Sequence, residues 1–123
     1  MERQKRVIKA LEAAVSNLET AIKLLVSRSG DVEQPIWQAA SEIEYALFLL
    51  SLTKNSEGSS WKTEHITKNV DVGQSLTAAE DLLTEAKKTV NNNSDNAYQK
   101  AWIARRYVLV AQDFLRAQKK KEA

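Results

Sequence analysis

IWQAASEIEYALFLLSL, residues 36–52, is the only part of the chain that a helical reading leaves apolar on more than one side. At about 100° per residue, Ile36, Ala40, Ile43, Leu47 and Leu50 fall on one stripe, while Trp37, Tyr45, Phe48 and Leu52 fall on a second, roughly opposite one. A helix built this way needs cover on two sides. The rest of the chain is read outward from that requirement.

On the N-terminal side, Ile8, Leu11, Val15, Leu18, Ile22 and Leu25 alternate three and four apart, with Val7, Ala14 and Ala21 widening the stripe on one flank. This spacing is that of an amphipathic helix. Ser29-Gly30-Asp31 stops it: Gly30 accepts a left-handed C-terminal conformation, and Asp31 with Gln34 has the spacing of a capping box for the next helix. Pro35, the single proline, then falls in the first turn, where its missing N–H costs nothing. So short a connection makes the first two helices antiparallel neighbours.

On the C-terminal side, residues 53–69 (TKNSEGSSWKTEHITKN) break the pattern with polar residues, Gly58 and paired serines. They read as a long connection, with Trp61 expected to plug one end of the bundle. A second capping box, Asp71 to Gln74, opens a stripe of Val72, Leu76, Ala79, Leu83, Ala86 and Val90, with Lys87 and Lys88 suited to the C-terminal end of the helix dipole. Residues 91–94 end it, and Ser94 or Asp95 caps the last helix. That helix carries Ala97, Ala101, Ala104, Val108, Ala111 and Leu115 on a narrow seam open to close approach by a partner helix.

These segments predict an all-α, single-domain four-helix bundle over residues 1–123, with helices at about 4–28, 33–53, 71–91 and 95–119. The simplest arrangement is up-down-up-down, with the long connection between the second and third helices. A chain of 123 residues suffices for one core, burying about two-thirds of the surface exposed when unfolded. No apolar run approaches the roughly 20 residues of a membrane span, so a soluble, cytoplasmic protein that does not engage a membrane is expected.

Several chemistries are excluded by supply. Without cysteine there is no disulfide, thiolate metal site or cysteine nucleophile. One histidine cannot furnish the paired Glu-x-x-His motifs of a di-metal bundle, nor the Arg-x4-6-His motif of HEPN-family ribonuclease bundles, because no arginine precedes His65 at that distance. Three glycines form no phosphate-cradling loop. The expectation is a protein with no catalytic residues, metal or cofactor. One local pattern points elsewhere. His65-Ile66-Thr67-Lys68 resembles the His-x-x-Lys core of histidine phosphotransfer domains, which are four-helix bundles of about this length; the resemblance implies His65 as phospho-acceptor and Lys68 beside the phosphate. It covers four residues, with Asn69 where that family carries glycine, and an ordinary surface histidine is the alternative.

The remaining signal is a surplus of aromatic surface. Trp37, Tyr45 and Phe48 on the second helix and Tyr98, Trp102 and Leu109 on the fourth lie away from the main stripes, and are the candidate partner-binding residues. Trp, Tyr and Arg together have the composition of interface anchors, which points to a homo-oligomer or a protein partner. An irregular bundle that covers these residues itself is the plainer explanation. Nucleic acid is the alternative partner, with bases stacked on the aromatics and phosphates met by Lys100, Arg105, Arg106, Arg116, Lys119 and Lys120. The net charge of +2 is mild for that role and decides nothing alone.

Overall fold

The computed structural model describes residues 2–28, 30–52 and 71–122, with side chains of the last helix described up to residue 118. Four helices account for nearly all of these: α1 (Glu2–Ser27), α2 (Glu33–Ser51), α3 (Val72–Thr89) and α4 (Ser94–Glu122). The protein is an all-α four-helix bundle. Trp61, His65 and Lys68 lie outside the described residues.

Local chemistry sets the helix ends, in two places differently from expectation. At α3 the capping box forms in full: the Gln74 N–H donates to Asp71 Oδ1 at 2.7 Å, and the Asp71 N–H donates to Gln74 Oε1 at 3.1 Å. A cap of this kind is worth about 1 kcal/mol. At α2 no such box forms, because Asp31 Oδ1 takes the nearer Glu33 N–H at 3.0 Å and so closes a tight Asx turn instead. At α4 the cap comes earlier than Ser94 or Asp95: Asn93 Oδ1 accepts the Asn96 N–H at 3.1 Å. After α1, Arg28 as well as Gly30 has positive φ, 55° and 79° respectively.

The core draws on all four helices. The expected stripe of α3 is buried at every position, and so is the α4 seam from Ala97 to Ala111, with Leu115 packed half-buried beside it. On α1 the buried face is rotated from the expected one. Val7, Ala10, Leu11, Ala14, Leu18 and Ala21 are buried, whereas Ile8, Val15, Ile22 and Leu25 are only partly covered. The alanines take the centre because α1 packs between two neighbours, α2 and α3, and small side chains there admit both backbones closely.

The helices form a ring in which α1 packs on α2 and α3, and α4 packs on α2 and α3. Glu12 of α1 meets Lys87 of α3 at 3.2 Å, Glu85 of α3 meets Lys100 of α4 at 3.0 Å, and Glu44 of α2 meets Arg105 of α4. At one end Trp37 of α2 shares a cleft with Gln112 and Arg116 of α4; at the other, Arg3 and Val7 gather with Leu49, Leu50, Val90 and Ser94. Every neighbouring pair is therefore antiparallel, while α2 and α3 sit diagonally and run in the same direction.

The chain order is up-down-down-up, not the expected up-down-up-down. Leu52 and Asp71 lie at opposite ends, about 28 Å apart for a helix of the length of α2. The residues between them are ample chain for that span at about 3.3 Å each. This order keeps all packed dipoles opposed while pairing the two helical hairpins side by side.

Candidate docking surface

The apolar face of α2 that the core does not use is open. Trp37 is 62% exposed, Phe48 59%, Leu52 54% and Tyr45 45%, and Ser41 between them is exposed as well. Residues 37, 41, 45, 48 and 52 follow the three-and-four spacing of one helix face, so these side chains line up as a continuous stripe. On the opposite side Ile36, Ile43, Leu47 and Leu50 are buried. One helix thus carries one apolar face into the core and displays another.

The second helix named from sequence behaves differently. Tyr98, Trp102 and Leu109 of α4 are half-buried, and the first two lie against the core. Arg105 marks the side of α4 that faces α2, and those three residues fall within about 60° of it around the helix. The pairing of Glu44 with Arg105 and of Trp37 with Gln112 fixes an antiparallel register, which sets Phe48 level with Trp102 and Leu52 level with Tyr98. Trp37 and Phe48 border α4, whereas Tyr45 and Leu52 stand further out on the crest of α2. The six candidate residues are brought to one side of the molecule, with most of the exposed area on α2.

The basic residues are dispersed. Lys100 pairs with Glu85 on the α3 side of α4, and Arg105 pairs with Glu44 on the α2 side. Arg106 lies over the Trp102 ring, 5.9 Å from its centre, a cation–π arrangement. Arg116 shares its cleft with Asp31 and Glu33. The side chains of Lys119 and Lys120 are outside the described residues. Lys100, Arg105 and Arg116 therefore stand near carboxylates, and Lys100 and Arg105 point to opposite flanks.

Two exposed residues were not anticipated. Val26 and Phe114 are open, one on each side of the end where α3 begins. Val26 continues the Leu18 and Ile22 spacing, but it falls in the last turn of α1, which ends at Ser27. On the far side from the α2 stripe, the Glu80 carboxyl is held above the usual carboxylate range, first by burial and then by the negative charges of Glu19 and Asp81. Its Oε2 is buried with no hydrogen-bond partner. Among the described residues no cluster of three potential metal ligands occurs, and no helix is long and apolar enough to cross a membrane.

The chain matches no protein-family model, no curated protein and no solved structure.

Proposed function

We propose that this chain is a non-enzymatic assembly module of the cytoplasm, which associates with itself or with another protein through the aromatic face of α2, bordered by the Trp102 and Leu109 side of α4. The observation that carries this reading is the outward stripe of Trp37, Tyr45, Phe48 and Leu52. Soluble monomers seldom expose a contiguous apolar patch of more than a few hundred Å², and exposed Trp, Tyr and Phe on a rigid helix lose little conformational freedom when bound.

The test is substitution of the stripe by charge. Wild-type protein and the Trp37→Glu, Phe48→Glu double variant are each crosslinked reversibly in native extract. Adducts of defined size, including the chain with itself, are expected for wild type and absent for the variant. Identical adducts for both would overturn the reading.

Nucleic-acid binding through Lys100, Arg105, Arg106, Arg116, Lys119 and Lys120 is the second reading, prompted by the neighbouring Arg106 and Trp102 side chains of α4. It predicts binding that weakens with salt and with Arg105→Glu combined with Arg106→Glu. It has less support, because Lys100 and Arg105 already face carboxylates. Phosphotransfer through His65 is the third, and absence of label from a phosphorylated receiver domain would dispose of it.

A further inference from the structure

We propose that the occupant of the α2 face is a second copy of this chain, with the two α2 helices packed antiparallel about a two-fold axis beside Tyr45. The inference rests on the docking reading above and names its partner.

The stripe is self-complementary in one orientation only. When two copies pair antiparallel about the level of Glu44 and Tyr45, Trp37 faces Leu52 of the second copy and Ser41 faces Phe48. The two Tyr45 side chains meet near the axis. Trp37 and Phe48 thereby each find a smaller side chain opposite, as knobs-into-holes packing requires, and the two Tyr45 rings pass each other offset across the axis. Ser41 is exposed and supplies the recess for the Phe48 ring. A parallel pairing sets Phe48 against Phe48 and Ser41 against Ser41, giving a collision at one level and a void at another.

Charge supports the same arrangement. Gln34, Trp37, Gln38, Ser41, Tyr45, Phe48 and Leu52 bring no charge to the stripe. The nearest charged pair is Glu44 with Arg105, level with the axis. Each Glu44 is already neutralised by its own Arg105, so the two-fold brings two neutral pairs together at this margin. The margin carries no net charge, and the antiparallel α2 dipoles are opposed.

Area is consistent with a dimer. Three half-exposed aromatics and a leucine offer about 400 Å² of apolar surface. A standard interface takes about 800 Å² from each partner, slightly over half of it apolar, so the stripe fills the apolar part and leaves the polar rim to Gln34, Gln38, Glu44 and Arg105. A two-fold interface uses the same patch twice, so no second surface is required.

The chain has no cysteine, which makes disulfide trapping clean. Sedimentation at micromolar concentration is expected to show a dimer for wild type and at least a 30-fold weaker association, on the order of 2 kcal/mol, for Phe48→Glu. Under mild oxidation Tyr45→Cys is expected to form a covalent dimer. Ser41→Cys mixed with Phe48→Cys should form the mixed dimer, while neither crosslinks with itself. Self-crosslinking of both variants would overturn the antiparallel arrangement, and a monomeric wild type would overturn the dimer. In that last case the unfolding of dilute Trp37→Glu, Phe48→Glu protein separates the two ideas. Unchanged stability leaves the α2 face as a docking surface for a different partner; a loss as large as that of a core substitution removes the docking reading too.

Discussion

The Arg105 guanidinium of α4 meets the Glu44 carboxylate of α2 at the margin of the aromatic stripe, at a level between Trp37 and Phe48. Both side chains retain solvent contact, Arg105 at 31% and Glu44 at 54%, so water screens their attraction. A double-mutant cycle with Glu44→Ala and Arg105→Ala, read by urea unfolding of dilute protein, should give a coupling of about 0.5 kcal/mol. A fold held together by this pair would give several times more.

Within α2, neighbouring positions should respond in opposite ways to the same truncation. Ile43 is fully buried, so Ile43→Ala should cost about 2–4 kcal/mol in unfolding free energy. Phe48 faces outward, so Phe48→Ala should stay within about 0.5 kcal/mol when measured below any concentration at which the chain associates. Raising the protein concentration should then separate wild type from Phe48→Ala by sedimentation, and should raise the unfolding midpoint of wild type more than that of Phe48→Ala.

The turn after α1 holds one residue well suited to its backbone and one that is not. Gly30 has φ of 79°, and a Cβ placed there would lie 3.0 Å from Leu24 Cδ2. Gly30→Ala should therefore lower stability by about 1–2 kcal/mol. Arg28 has φ of 55° without glycine's freedom, so Arg28→Gly should raise stability by about 0.5–1 kcal/mol. Thermal unfolding of the two variants should move the midpoint in opposite directions.

Glu80 should leave a signature in the pH dependence of folding. Burial, with Glu19 and Asp81 adding to it, raises the carboxyl pKa in the folded state, so folding favours the protonated form. The contribution is fully present below the ordinary carboxylate pKa and is lost as pH rises through the elevated folded value. Replacing Glu80 by Gln should flatten the stability profile in that window and raise stability at neutral pH relative to wild type. Urea unfolding at a series of pH values checks both effects.

The helical pattern alone makes the bundle legible. The run from Val72 to Val90 alternates so regularly that its buried face could be named residue by residue, and Asp71 with Gln74 marks its start unambiguously. Alanine carries less information, because it suits the core and the surface alike. That is why the buried face of α1 centres on Ala10, Ala14 and Ala21 and not on Ile8, Val15 and Ile22. Direction was not legible either. A connection as long as the one after Leu52 has reach enough for either end of the bundle, so no local signal separates the two orders.

For the surface, periodicity located Trp37, Tyr45, Phe48 and Leu52 as a second face, and they are open. It could not show how far Tyr98 and Trp102 settle against the core, because that depends on how α4 is rotated between α2 and α3. Nor could it pair Arg105 with Glu44 or Lys100 with Glu85. The latter partners are only fifteen positions apart, but they meet across two helices whose register is set by packing.

The diagonal placement of α2 and α3 sets two antiparallel hairpins flank to flank, α1 with α2 and α3 with α4, connected in sequence by residues 53–70. A cut within residues 53–70 leaves α1 covalently joined to α2 and α3 to α4. Each half would present an uncovered trough, lined by Leu11, Leu18, Ile36 and Ile43 on one side and by Leu76, Leu83 and Val108 on the other, that only its counterpart fills. The two pieces should recombine as a two-chain complex whose integrity depends on concentration, since the covalent connection keeps each trough close to its lid.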